Sequence, residues 1–381
     1  MSRRQAGLLL LAVTALCAGC GSAARPAGAP ASPVRPPSLA TSLVTATGTW
    51  AVAVLGGPAA QHNNFWQLFV RPAGTGRWRL ATPPGVASNG GLVVAGLSAG
   101  SVVAGFRPSQ DLTYSPLAIT HDNGTAWTPG LLDAGLADVP DALAAAPAGG
   151  RLLALLSNGA AELSGPGGTA WARLATRSLA ASPAGRHCGL GRLAAAAFSP
   201  SGVPLLAAGC ARPGTAGVFA YTGGTWRLAG PALPAAYARR SVTVLRLTTT
   251  AGTTMALLAA GTGPAARLLA AWPASGGTRW ALSPPLPLHG AALTSASAGP
   301  GDTVAVVLTG NHAQTTTAAG PWQPLPALPP ATVTLAPGPG GGWDALAVHG
   351  TKLAIWQLAP DGSTWAAAQT INVPIQFGSS G

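Results

Sequence analysis

Residues 120–127 read Thr120-His121-Asp122-Asn123-Gly124-Thr125-Ala126-Trp127. The Asp carboxylate can accept backbone N–H bonds, the Gly can take a left-handed conformation, and the Trp closes the corner, so the stretch reads as a tight polar turn between strands. Weaker copies follow at Ser164-Gly165-Pro166-Gly167-Gly168-Thr169-Ala170-Trp171, Gly223-Gly224-Thr225-Trp226, Gly276-Gly277-Thr278-Arg279-Trp280 and Asp361-Gly362-Ser363-Thr364-Trp365. With Trp78 and Trp322 they form a series of seven tryptophans at intervals of 49, 44, 55, 54, 42 and 43 residues. An end-to-end period of about 48 residues marks one supersecondary unit copied along the chain. Between the tryptophans lie short Ala/Val/Leu runs broken by Gly and Pro, the pattern of short strands and tight turns. The expected fold is all-β: a single β-propeller of seven four-stranded blades, with six or eight blades as the alternatives.

Individual blades can be read strand by strand. Blade 2 takes residues 91–96, 101–106 and 115–121, with Trp127 opening its fourth strand. Blade 4 takes 192–198, 203–209, 217–221 and 226–228; blade 7 takes 332–335, 343–348 and 352–358, then Trp365. Blade 1 begins near Ser42 and closes on Trp78-Arg79-Leu80. The first strands are rich in small residues, as crowding around a central axis requires. The tail, residues 371–377, is a candidate to close the ring against blade 1. Each Trp is expected to pack between neighbouring blades or to cap a turn.

The turn at 120–127 resembles an Asp-box, the Ser/Thr-x-Asp-x-Gly-x-Thr-Trp element of BNR-repeat, sialidase-like β-propellers, found also in sortilin-type receptor domains and photosystem assembly factors. The other copies depart from it: Pro166 stands where Asp belongs, and Asp361 lies one place nearer its Trp. The resemblance covers most of the mature chain as architecture. It implies a structural role for Asp122, Gly124 and Trp127. It also raises the sialidase activity of the superfamily, which uses three arginines, a Tyr–Glu nucleophile pair and an Asp acid. This chain offers Tyr114, Tyr221, Tyr237 and one glutamate, Glu162, read as a solvated position in a third strand. Phe69-Val70-Arg71-Pro72 is only faintly similar to the sialidase Arg-Ile-Pro motif. Glycoside hydrolysis needs two carboxyl groups at controlled separation, and Asp111, Asp122, Asp133, Asp138 and Asp141 crowd into one blade and its exit. A hydrolase acting on envelope or host glycans is therefore the alternative reading.

Other signatures of chemistry are missing. Gly96-Leu97-Ser98-Ala99-Gly100 matches a nucleophile elbow as a string, but a strand follows it where a helix is required. The sequence has no His-Glu-x-x-His and no Walker lysine. No cofactor and no metal are expected. The chain carries 21 Lys+Arg against 9 Asp+Glu, a net charge of +12 with only 8% charged residues. Apart from Arg239-Arg240 the arginines are scattered, with no stripe of cations and aromatics, so nucleic acid is not an expected partner.

The N-terminus reads as a processing signal. Arg3-Arg4 precedes an apolar run to about Cys17 and then Ala18-Gly19-Cys20. The segment resembles a bacterial lipoprotein signal, with Cys17 at the position where Leu is usual. The resemblance implies lipidation at Cys20 and a membrane-lipid partner; ordinary secretion is the rival. The expected division is a signal peptide at 1–19, a lipidated Cys and Pro/Ala-rich tether at 20–38, and the propeller at 39–381, anchored outside the membrane. Export leaves Cys188 and Cys210 as the remaining pair, flanking the Ser199-Pro200-Ser201-Gly202 turn and two or three residues out of strict register. A disulfide is expected.

Alternate turns of a propeller fall on opposite faces. The B–C and D–A connections gather the polar side chains: His62, Asn64, Tyr114, Arg186, His187, Arg212, Tyr237, Arg239, Arg240, His289, His312 and His349. Polar loops on a rigid scaffold are where binding resides. The favoured reading is a non-catalytic scaffold that binds a protein or glycan on this face. Solute capture is a second alternative.

Overall fold

The computed structural model describes residues 41–375 except 57–63, 87–90, 99, 107–116, 130–139, 148–149, 157–158, 175, 251–252, 274–278 and 319. It contains seven antiparallel sheets, each built from consecutive strands. Blade 1 is β1 (Thr41–Thr45), β2 (Gly48–Gly56), β3 (Asn64–Pro72) and β4 (Arg79–Leu80). Blade 2 is β5 (Leu92–Ser98), β6 (Ser101–Phe106), β7 (Leu117–Thr120) and β8 (Thr128–Pro129). Blade 3 is β9 (Pro140–Ala145), β10 (Leu152–Leu156), β11 (Ala161–Leu163) and β12 (Ala172–Leu174). Two short helices, α1 (Thr176–Ala181) and α2 (Pro183–Cys188), lead to blade 4: β13 (Leu190–Phe198), β14 (Pro204–Cys210), β15 (Gly217–Thr222) and β16 (Thr225–Leu228). Blade 5 is β17 (Val242–Thr250), β18 (Thr253–Ala260), β19 (Arg267–Pro273) and β20 (Trp280–Leu282), with β21 (Leu286–Pro287) also paired to β19. Blade 6 is β22 (Leu293–Gly299), β23 (Thr303–Leu308), β24 (His312–Thr317) and β25 (Gln323–Pro324). Blade 7 is β26 (Thr332–Pro337), β27 (Trp343–His349), β28 (Lys352–Leu358) and β29 (Trp365–Asn372).

This is the seven-bladed propeller that the tryptophan spacing predicts. Its core is not one mass but seven slabs, one between each pair of neighbouring blades, including blade 7 against blade 1. Second strands are therefore covered on both faces: β6 (SVVAGF) and β10 (LLALL) are buried at every position. Such strands need unbroken apolar runs rather than alternation. Outer strands face water; β29 is mostly exposed. Small residues in the first strands are a matter of space: a Cβ on Gly96 would sit 3.1 Å from Thr45 Cγ2 in the next blade.

Four of the spaced tryptophans fasten their blade to the previous one. Nε1–H of Trp127 donates to the Ala81 carbonyl (3.0 Å), Trp280 to Ala229 (2.8 Å), Trp322 to Pro284 (2.8 Å) and Trp365 to Pro326 (3.3 Å). Each acceptor lies just past the fourth strand of the preceding blade. The turn at 120–127 is held by its own polar groups. Asp122 Oδ1 accepts from the backbone N–H of Thr125 (3.0 Å) and Ala126 (2.9 Å), and the Thr120 hydroxyl donates to it (2.8 Å). Gly124 has φ +80°, and a Cβ there would lie 2.8 Å from Ala81 Cβ and 3.3 Å from the Trp50 ring. Only glycine meets both conditions. Arg79 of blade 1 donates to the Asn123 carbonyl (2.6 Å), docking the turn across the blade boundary.

Ring closure uses side chains rather than a shared strand. Of the tail, Ile371 and Asn372 pair with β28 of their own blade and Val373 N donates to Thr351 O, while Ile371, Val373 and Ile375 pack against blade 1; residues 376–377 lie outside the described residues. Trp78 of blade 1 donates through Nε1 to Asp344 Oδ2 of blade 7 (2.8 Å), and Gln369 bonds both the N–H and the carbonyl of Trp78. Arg71 forms a buried ion pair with Asp344 and donates to the Pro337 carbonyl (2.7 Å). Burial raises the Asp344 carboxyl above its ordinary range, with Arg71 opposing, and burial lowers the Arg71 guanidinium.

Candidate functional site

Two places gather polar groups: the B–C and D–A face near blades 3 to 5, and the central channel. On the face, Pro183 at the first helical position and Ser182 as cap, accepting from Gly185 N (3.0 Å), start α2. Gly189, at φ 62°, ends it. Cys188 at its end is bonded to Cys210 at the end of β14, with a Cα–Cα separation of 4.8 Å, as the sequence predicts. The sequence reading placed Arg186 and His187 in a loop; they stand instead on the last turn of α2, where cations suit the helix end.

The disulfide draws the neighbouring segments together. Ala211 N donates to Gly189 O (3.0 Å) and Arg212 N to Cys188 O (2.9 Å). Arg212 Nη1 lies 3.2 Å from His187 Nδ1. Gly214 N donates to Arg240 O (2.8 Å), and Arg240 Nη1 donates to Ala265 O (3.1 Å). Arg186, His187, Arg212 and Arg239 are exposed and Arg240 is half-buried. Backbone hydrogen bonds thus bring the segments that carry Arg186, Arg212 and Arg240, up to 54 positions apart in the sequence, to one corner of the face. None of the cations has a carboxylate within 4.0 Å among the described residues; the ion pair of this region, Arg192 with Asp141 (3.1 Å), joins the starts of β13 and β9.

Other expected face residues fall elsewhere. Tyr237 is only 8% exposed and belongs to the slab between blades 4 and 5, so it is not a contact residue of the surface. His289, His312 and His349 are exposed and stand singly, His289 in the turn beyond blade 5, His312 at the start of β24 and His349 at the end of β27. His62 and Tyr114, and the side chain of Asn64, lie outside the described residues, as does Cys20. Among the described residues no three of His, Cys, Asp and Glu gather as a metal would require, and no helix is long and apolar enough to cross a membrane.

Of the residues weighed for glycoside hydrolysis, Asp111, Tyr114, Asp133 and Asp138 lie outside the described residues. Arg71 is buried against Asp344. Glu162, expected to be solvated, is 1% exposed in β11, its Oε1 3.9 Å from Arg173 Nη2; the strand that carries it is covered by the neighbouring blade. The Gly96–Gly100 string joins β5 to β6, strand to strand, as read.

The channel has a volume of about 640 Å³ and is lined by the first strands of blades 1 to 5. Its walls are mainly methyl groups, from Leu43, Val93, Ala95, Ala142 and Ala195 among others, with hydroxyls from Ser42, Thr45 and Thr249. Two charged side chains line it: Asp141, near the mouth and engaged by Arg192, and Arg246, at the middle of β17. Sequence reasoning missed Arg246 entirely.

No known family model matches the sequence, and no curated protein does. Solved structures share the fold. The GH74 xyloglucanase from Xanthomonas campestris aligns with a TM-score of 0.54 at 16% identity, covering 86% of this chain and 54% of that one. The chain thus spans about half of that enzyme. YCF48 bound to D1 peptide aligns with a TM-score of 0.48 at 14% identity, over 82% of this chain and 90% of that one. A protein from Lactobacillus plantarum aligns with a TM-score of 0.49 at 10% identity, over 84% and 96%. At these identities the likeness is one of architecture, a β-propeller, a fold that hosts many unrelated functions.

Proposed function

We propose that this protein is a non-catalytic binding scaffold, held on the outer side of a membrane by lipid on Cys20, whose basic strip engages an acidic macromolecular partner. One observation carries the reading: the fold collects Arg186, Arg212 and Arg239 around a disulfide-braced corner and leaves them exposed, with no carboxylate within 4.0 Å among the described residues. Exposed cations of one sign raise the encounter rate with an oppositely charged surface and select against basic ones. The turns that hold them are tied by backbone hydrogen bonds, so the strip is preorganised. The alternative, a sialidase-like hydrolase, has lost its best candidates to structural duties, since Arg71 and Glu162 are both buried.

The experiment is crosslinking in native membranes with the full chain, identification of the partner by mass spectrometry, and binding of that purified partner to the Arg186→Glu/Arg212→Glu/Arg239→Glu variant. The reading expects binding weakened at least about tenfold, roughly 1.4 kcal/mol, and a steep loss of wild-type binding with added salt. Undiminished binding by the folded triple variant rejects the strip as the interface. The anchor is tested separately. Cys20→Ala should move the protein from the membrane to the soluble fraction, and an unchanged distribution rejects lipid attachment at that residue.

A further inference from the structure

The central channel contains a charge that the fold does not neutralise. Arg246 follows a β-bulge: Val244 pairs with Leu258 and Arg246 with Leu257, so Leu245 is the extra residue. The bulge places Leu245 in the slab between blades 5 and 6 and re-aims Arg246 past it. The same shift occurs in the first strands of blades 4, 6 and 7, after Leu193, Leu293 and Thr332. The residues equivalent to Arg246 there are Ala195, Ser295 and Thr334. Where those three blades carry small groups, blade 5 carries a guanidinium.

That guanidinium reaches across the channel wall. Nη1 donates to the Ala296 carbonyl of blade 6, and Nη2 to the Ser42 carbonyl of blade 1 (3.3 Å). Two of its five N–H donors are thereby used, and no carboxylate approaches within 4.0 Å among the described residues. Burial pulls its pKa down to about 10, which leaves it protonated at neutral pH. Beside it, Ser42 lines the channel at 2% exposure, and its Oγ has no hydrogen-bond partner. A half-buried cation with spare donors, bonded to the backbone of a residue whose buried hydroxyl has no partner, is costly unless something completes both groups.

We infer that the channel is a binding site for a small organic monocarboxylate, whose carboxylate bonds Arg246 and Ser42 and whose apolar body lies along the methyl-lined wall. A planar guanidinium fork matches a carboxylate. One cation balances one negative charge, whereas a phosphate dianion would meet too few donors. The volume of about 640 Å³ is that of a small-molecule site. The site is separate from the basic strip and stands or falls independently of it.

The test uses the full chain carrying Cys20→Ala, which removes the need for detergent, and titration calorimetry with octanoate and phenylacetate. Octan-1-ol serves as an uncharged control and inorganic phosphate as an anion without an apolar body. Expected are saturable binding of at least one of the two acids, at least tenfold tighter than octan-1-ol or phosphate, and its loss in Arg246→Met. Ser42→Ala, which leaves the cross-channel hydrogen bonds of Arg246 intact, should weaken the same acid several-fold and serves if Arg246→Met does not fold. No binding of either acid at millimolar concentration overturns the inference. So does equal binding by folded Arg246→Met, or by Ser42→Ala where Arg246→Met does not fold; either would leave Arg246 as a strut between blades.

Discussion

At the scale of single residues, the polar turn of blade 2 is the position where sequence and structure agree most closely. The backbone N–H of Ala126, the Thr120 hydroxyl and the backbone N–H of Thr125 hold the Asp122 carboxyl below the usual carboxylate range. A carboxyl with a lowered pKa in the fold lends stability above its unfolded pKa, about 3.9, and loses it as pH falls through the folded value. Melting temperatures of wild type and Asp122→Ala should therefore differ most at neutral pH and converge below about pH 4. A gap that persists undiminished into acid would mean that the carboxylate contributes nothing to the turn. Asp122 was legible because all its partners lie within five residues of it. Arg246 was not. Val242-Thr243-Val244-Leu245-Arg246-Leu247 breaks its alternation at Val244-Leu245, the place of the bulge, but nothing in that break says that the guanidinium meets the channel. Glu162 misled for a related reason: in β11 its burial is decided by the neighbouring blade, not by its own strand.

Among the elements, strands came through and helices did not. Second strands such as β6 and β10 are buried throughout because a blade lies on either side, and their runs of Val, Ala and Leu are visible in the sequence. The pair α1–α2 was overlooked although its signals are present: Ser182 before Pro183, and Gly189 after Cys188. Two six-residue helices are too short to show a period of 3.6. The disulfide at the end of α2 links positions 22 residues apart. Replacing Cys188 and Cys210 together by Ser should lower the unfolding free energy by about 3 kcal/mol in denaturant titrations. Because that bridge holds the segment of Arg186 against that of Arg212, amide exchange across 176–189 should rise as well. If stability and exchange are both unchanged, the helices are held by packing alone.

Across the whole molecule, the number of blades followed from seven indoles, but the manner of closure did not. The contacts that complete the ring join Arg71, Trp78, Asp344 and Gln369, residues up to 298 positions apart. Of these only Trp78 belongs to the spaced series, and spacing says nothing of its partners. Removing one member of a buried ion pair leaves the other uncompensated. Asp344→Ala should accordingly cost about 3–5 kcal/mol, read from unfolding curves, while the apolar double replacement Arg71→Met/Asp344→Leu should recover most of that loss. Equal damage from both variants would show that the pair is needed as charge rather than as filling.

Each blade is a continuous stretch of chain, and none lends a strand to its neighbour. The order in which the seven are synthesised is thus independent of the way they meet. A rearranged gene that starts at Val242 and joins 375 to 41 through a linker would encode every sheet unbroken and should assemble the same wheel.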